Sequence, residues 1–445
     1  MKRNRKELGP QIREVWKLSL PAILTQITTI VMQYIDSAMV GSLGANASAA
    51  IGLVSTSTWL LGGVTYAVSA GFSVQVAHHI GAQDDEGARN VERHGLLTAL
   101  CLSLLLCGLG LGIQRSLPHW LGGDPDICED ASRYFMVFAL MIPFSQLNSL
   151  SSSFLQCSGD MVTPSILNAA MCGLDVLFNA LLIPRFGVMG AGMGTALACA
   201  VVSLLMAWRC YLCNPRLRLS RREKGHFQGE ILKKALKIGF PVAVQEIAMN
   251  SSQVVCTTII APLGPVAIAA NSFAVTAESL CYMQGYGIGS AATTLVGRNV
   301  GAGEAKLAKC YGNICIVMGA ALMGITGLAM MALCPLVFRL MTPVQEVREL
   351  AARCLRIGLL AEPLFGASIV SAGALRGTGD TLVPSILNLC SIWIVRLGLA
   401  ILLVGRYGLP GMWTAMATEL CVRGLLMLFR QKTTKFYDKF QKTAA

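Results

Sequence analysis

Charge is what this chain has least of. Only 13% of its 445 residues are charged, whereas an average soluble domain carries about 25%. Too little charge is present to coat a water-facing surface around a chain that is 54% hydrophobic with a mean hydropathy of +0.59. That balance, with many long apolar runs, excludes an ordinary soluble domain and marks an integral membrane protein. No G-x-x-x-x-G-K-[ST] loop occurs, so nothing cradles a nucleotide phosphate and ATP is not the expected energy source. No nucleophile–base pair and no repeated metal motif is present, so an enzyme is not expected and no catalytic residue is assigned. The chain holds five histidines, and the adjacent pair His78-His79 lacks the carboxylate support of a metal site. Sixteen cysteines are present, but Cys101, Cys107, Cys199 and Cys315 sit inside apolar runs, where they act as small hydrophobes. Cys210 and Cys213 form a lone C-x-x-C with no second pair. No metal and no organic cofactor is expected. The net charge of +12 fits a basic cytoplasm-facing membrane surface rather than nucleic-acid binding.

What is there is a series of apolar segments, each about as long as the 20 residues a membrane-spanning helix needs. They fall at 16–40, 47–76, 94–113, 131–156, 163–184 and 187–212, then at 236–260, 266–292, 307–338, 351–374, 383–404 and 408–430. The first follows a basic start, yet it is too long for a signal-peptide core of roughly 7–15 residues and is read as a retained helix. The runs neither shorten nor alternate as barrel strands would. The distribution of Lys and Arg puts both termini on the cytoplasmic side. The charged stretch 213–235 separates residues 1–212 from 236–430 as a basic interlobe linker, and 431–445 reads as a basic cytoplasmic tail.

The halves repeat. "GDMVTPSILN" at 159–168 returns as "GDTLVPSILN" at 379–388, an offset of 220. Pro21 matches Pro241, Gln33 matches Gln253, and Leu43-Gly44 matches Leu263-Gly264. Near the end of each half the offset becomes 221, as Arg185-Phe186-Gly187 matches Arg406-Tyr407-Gly408. A period this long marks a duplicated lobe rather than a solenoid unit. An even number of helices per half makes the repeat parallel, with its pseudo-twofold axis along the membrane normal. The expected fold is therefore all-α, with twelve transmembrane helices in two six-helix bundles.

Acids inside the apolar runs carry the chemistry. Each costs about 2.5–3.5 kcal/mol at a helix centre on insertion scales, which makes it a functional candidate by default. Thr29, Gln33 and Asp36 form a polar stripe on the first helix. Asn168, Cys172, Asp175 and Asn179 share one face of the fifth. A carboxylate beside amide oxygens can hold a sodium ion or a proton. In the second half, Glu246 and Glu278 are candidates to attract a cationic substrate, together with the equivalent glutamines Gln33 and Gln253. Arg396 and Arg423 are expected to pair with a buried acid such as Glu419. Gly190 and Gly194 read as small-residue helix packing.

The stretches "SLPAILTQITTIVMQYIDSAMVGSLG", "LDVLFNALLIPRFGVMGAGMGTALA", "TTLVGRNVGAGE" and "SAGALRGTGDTLVPSILN" resemble the multidrug and toxic compound extrusion (MATE) family, over almost the whole chain. The resemblance implies two six-helix lobes and export of organic cations and other compounds in exchange for sodium ions or protons. It also implies a cation site in the first lobe formed by Asp36, Asp175 and Thr195. The family branch with that site has an asparagine one turn before the helix-five acid, where this chain has Met171. The expected function is an ion-coupled antiporter, H+ or Na+, exporting amphipathic, often cationic, compounds by alternating access. Its partners are small organic substrates and the lipid bilayer of a prokaryotic inner membrane, with no nucleic acid, and it acts as a monomer. The alternative is a flippase for lipid-linked precursors, which would rely on basic cavity residues.

Overall fold

The structure is a computed structural model that describes residues 5–219 and 227–438. Among these residues it is helical throughout, without strands. Six long helices precede the linker region: α1 (Arg5–Gly41), α2 (Ala45–Gly81), α3 (Asp85–Ile113), the short α4 (Leu117–Trp120), α5 (Pro125–Ser158) and α6 (Val162–Trp208), the last two arms of one hairpin. After it come α7 (Gly229–Ile260), α8 (Pro265–Gly301), α9 (Ala305–Met341), α10 (Gln345–Leu359), α11 (Glu362–Gly377), α12 (Leu382–Cys390), α13 (Leu397–Tyr407) and α14 (Leu409–Thr433).

The count of membrane crossings follows from length. Nine helical stretches are long and apolar enough to cross, and α10 with α11, bent by 55°, adds a tenth. One of the nine, Val162–Cys213, has 52 residues. As a straight helix it would extend roughly 78 Å, far beyond the ~30 Å hydrocarbon core. It breaks at Gly187, whose φ of 58° and ψ of −132° lie outside the helical region. A side chain there would be strained, and glycine makes the reversal possible. The arms fold back so closely that a Cβ on Gly190 would lie 2.4 Å from the Leu182 carbonyl oxygen. Dividing this stretch gives eleven crossings, and α7 gives the twelfth. The fold is the expected twelve-helix, two-bundle architecture.

The duplication is visible in the backbone. Gly408 has φ 62° and ψ −140°, close to the values at Gly187, and a Cβ on Gly411 would lie 2.5 Å from the Leu403 carbonyl oxygen. Gly44 and Gly264 both have positive φ, as do Gly159 and Gly379. The change of offset from 220 to 221 also has a structural form. Residues Ser391–Arg396 make a π-helical turn between α12 and α13, which accommodates one more residue than an α-helical turn. The matching part of α6 is regular α-helix.

The repeated decapeptides do different local work. Asp160 accepts hydrogen bonds from the Thr163 amide at 3.0 Å and the Thr163 hydroxyl at 2.7 Å, closing the turn into α6. Asp380, its counterpart, is buried and paired with Arg430 at 2.8 Å. At the start of α3, Asp84 caps Gly87 N–H at 2.8 Å and meets His79 Nδ1 at 2.8 Å. Partial burial opposes its ionisation, but these two donors outweigh that and hold the carboxyl below its usual range.

Two compact units form. One contains residues 27–246, the other residues 1–26 and 247–445. The division therefore corrects the sequence expectation of lobes at 1–212 and 236–430. The boundaries lie within α1 and α7, five residues beyond Pro21 and Pro241. The central part of the expected linker, 220–226, and the tail end, 439–445, lie outside the described residues, while 229–235 already belongs to α7 and 431–433 still belongs to α14.

Packing explains the exchange. In the unit of residues 27–246, α5 lies against α2, α3 and α6. The opening arm of α7 joins it through backbone approach. A Cβ on Gly71 would meet the Ala235 carbonyl oxygen at 2.6 Å, and one on Gly239 would meet the Ala67 carbonyl oxygen at 2.8 Å. Gln75 Nε2 also donates to the Ile231 carbonyl at 3.1 Å. In the other unit, α8 packs on α9, α10 and α11, and α11 on α14. There the opening arm of α1 is held by Gly287, where a Cβ would come within 2.7 Å of Ile23 backbone. A hydrogen bond from the Tyr311 hydroxyl to Glu14 fixes its start. Small residues permit such contacts where lipid supplies no hydrophobic drive for helix association.

Gly71→Leu and Gly239→Leu should each destabilise the protein by about 1–3 kcal/mol, the usual cost of overpacking. Gly173→Ala, where an added Cβ meets nothing within 4 Å, should be neutral. Thermal unfolding in detergent distinguishes these outcomes.

Candidate functional site

The first acid cluster is assembled by the second arm of α1 and the hairpin of α6, within the unit of residues 27–246. Asn179 stands one turn after Asp175 on the same face of α6. Its Nδ2 donates to Asp36 Oδ1 at 2.8 Å and to Asp175 Oδ2 at 3.2 Å. One amide nitrogen thus ties together two carboxyl groups from different helices. Asp175 and Asn179 are fully buried, and Asp36 is half-buried. Asp175 Oδ1 and Asn179 Oδ1 are buried without hydrogen-bond partners. These free oxygens, beside the Asp36 carboxyl, are the donor set that a cation or a proton would complete.

Gly194, on the second arm of the hairpin, shapes this cluster. A Cβ there would lie 2.0 Å from Asn179 Oδ1. The small residue therefore lets the amide sit between the arms. Gly192, two residues earlier, receives the Tyr134 ring of α5, whose Cδ2 would be 3.2 Å from an added Cβ. Nothing in the sequence pattern singled out Tyr134.

The other expected coordinating residues are placed differently. Thr195 is half-buried, and its hydroxyl donates to the Ala191 carbonyl at 3.2 Å. Asn168 shares the face of Asp175 but lies two turns earlier, about 10 Å along the axis. Its amide donates to the Pro164 carbonyl at 2.8 Å. Met171, one turn before Asp175, is half-buried. Gln33 is exposed on α1. Glu246 belongs to this same unit, where it packs against Gly63.

The unit of residues 1–26 and 247–445 contains a cavity of about 180 Å³. Gln253 and Glu278 line it, as do Arg396 and Arg423. Glu278 is buried and its Oε1 has no hydrogen-bond partner. Both arginines pair with Glu419, as the sequence suggested. Arg396 donates from Nε at 3.1 Å and Nη2 at 2.6 Å to Glu419 Oε2. Arg423 Nε lies 3.1 Å from Oε1. Ser391 adds a hydroxyl donor at 2.9 Å. Trp413 Nε1 donates to Asn271 Oδ1 at 3.0 Å on the cavity wall, a pair the sequence reading missed because its members lie in different helices. Glu362, at the bend that opens α11, is buried with both carboxyl oxygens unpartnered.

Among the described residues, no three His, Cys, Asp or Glu side chains come together as a metal site. His79 faces Asp84 instead, and Cys210 donates to buried Glu92 at 3.3 Å.

Twelve membrane crossings, a tethered carboxyl pair inside the bilayer and a separate lined cavity define a membrane transporter. The MatE family model matches residues 21–181 and 241–402, once in each half. The chain belongs to the MatE family. It is 26% identical to the probable multidrug resistance protein NorM of Chromobacterium violaceum, with 96% of this chain and 94% of that protein aligned. The probable multidrug resistance protein NorM of Pseudomonas aeruginosa is 28% identical over 96% of this chain and 91% of its own length. Among solved structures, an outward-facing multidrug resistance MATE family transporter of the MOP superfamily superposes with a TM-score of 0.90 at 22% identity, covering 95% of both chains.

Asn179→Ala should cost about 1–3 kcal/mol, because it removes the donor shared by two buried acceptors. Gly194→Ala should destabilise the same cluster by displacing the amide. A thermal-unfolding midpoint unchanged in both variants would show that Asn179 does not hold the carboxyl groups.

Proposed function

We propose that this protein is an antiporter that expels amphipathic, often cationic, organic compounds across a prokaryotic inner membrane in exchange for Na+ or H+. It is not an enzyme. The observation that carries this reading is the Asn179 amide joined to both Asp36 and Asp175. Carboxyl groups within the bilayer are costly unless they serve an ion or proton pathway. The multidrug resistance names of its relatives support drug-like substrates and disfavour the flippase alternative.

Asp36 and Asp175 are the coupling groups in this reading. Asn179 positions them, and Thr195 and Asn168 complete the ion path from either side. Binding of a cation would neutralise the carboxyl pair, relieve the repulsion between its members and alter the packing of α1 against α6. Alternation of access to the two sides of the membrane follows from that change. Gln33, Glu246, Gln253 and Glu278 are the proposed substrate-contacting residues. The coupling ion is the only cofactor this scheme needs. Both termini face the cytoplasm, in keeping with the Lys and Arg distribution, and the monomer is the working unit.

Efflux of a fluorescent cation from proteoliposomes, driven first by a sodium gradient and then by a proton gradient, identifies the ion. Asp36→Asn and Asp175→Asn should each abolish active efflux while leaving insertion intact. The double variant should be little worse than either single one, since members of one site are non-additive. Additive partial losses would show that the two acids do not share a site and would overturn the coupling assignment.

A further inference from the structure

The cavity between α7, α8 and α14 carries an arrangement that coupling through Asp36 and Asp175 does not use. Arg396 and Arg423 line it, while Glu419, fully buried, does not. The carboxylate therefore braces the two guanidinium groups from outside the cavity. Two cations around one such anion leave a surplus positive charge directed at the cavity.

The donors are not all engaged. Arg396 places Nε and Nη2 on a single oxygen of Glu419. Arg423 Nε is within ion-pair distance of the other oxygen, yet it is not aligned for a hydrogen bond. Its guanidinium instead lies over the Phe365 ring, 5.2 Å from the centroid. A guanidinium has five N–H donors in a planar fork, which matches a carboxylate better than any other common organic anion except phosphate.

The rest of the lining selects the organic part. Tyr282 and Phe365 stand with ring centroids 5.6 Å apart, and Trp413 is fixed by its bond to Asn271. All three line the cavity with the arginines. Glu278 presents its unpartnered Oε1 in the same cavity, which disfavours a ligand with a second carboxylate. The π-helical turn that ends at Arg396 is a device often found at functional sites.

We propose that this cavity binds an aromatic monocarboxylate, its carboxylate between Arg396 and Arg423 and its ring against Phe365, Tyr282 and Trp413. The inference goes beyond cation export, because it admits an anionic class of compound to a site in the other unit from the coupling acids.

The test is direct binding to the full-length protein in detergent, with no ion gradient, so its failure leaves the efflux experiment above unaffected. The probes are 2-naphthoate and its neutral isostere 2-naphthamide, followed by calorimetry and by quenching of tryptophan fluorescence. Naphthoate should bind saturably, with naphthamide about tenfold weaker or worse. Arg423→Lys keeps the charge that Glu419 needs but loses the planar fork. It should weaken naphthoate by about tenfold while leaving the unfolding midpoint near that of the parent. The comparison of the two probes on the unmodified protein stands even if the variant fails to fold. Absence of saturable naphthoate binding, or equal affinity for the amide, overturns the proposal.

Discussion

Hydrocarbon offers no hydrogen bonds, so every polar group placed in it must find its partner inside the protein. The rest of this structure depends on that constraint. It explains why an asparagine, rather than water, joins Asp36 to Asp175. It explains why two arginines in the second half are held by one buried glutamate. Where partners are missing, as at Asp175 Oδ1, Asn179 Oδ1 and Glu278 Oε1, the same rule turns the vacancy into a demand for a ligand. Glycine serves the constraint in another way. By letting helix backbones approach, Gly71, Gly190 and Gly411 bring polar side chains within reach across helices that lipid would not otherwise drive together.

Much of this was legible in the sequence. Run lengths gave the crossings, and the offset of 220 gave the duplication, because hydrocarbon thickness and helix rise leave few other options. The acids declared themselves by their cost. Sharing a face correctly joined Asp175 to Asn179, which are one turn apart. It could not separate them from Asn168, because a face has length as well as direction. The unit boundaries inside α1 and α7 were hidden for a different reason. They depend on which backbone meets Gly71 or Gly287, and a linker's composition says nothing about that. The cavity wall at Asn271 and Trp413 was hidden likewise, since its two residues are 142 positions apart.

The duplication preserved the scaffold and let the chemistry diverge. Hairpin glycines kept their backbone angles in both halves, whereas Asp36 faces Cys256 in the repeat alignment and Asp175 faces Val395. A helix reversal is a geometric requirement that each half must meet for itself. A coupling acid is required once per transport cycle, and a second copy would add its insertion cost without adding a function. Equivalent decapeptides show the same freedom on a smaller scale, with Asp160 closing a turn and Asp380 holding Arg430.

The π-helical turn at Ser391–Arg396 has an evolutionary consequence. One inserted residue rotates all that follows on a helix by about 100° relative to what precedes it. Before the insertion, the second copy could present to its neighbours only the faces that the first copy presented. Afterwards, Arg396 faced Glu419 and the cavity, while Gly408 and the packing beyond it stayed in place because the wide turn absorbed the extra length. A single added codon would thus have been enough to free one half of a symmetric ancestor to recognise something new, without refolding either half.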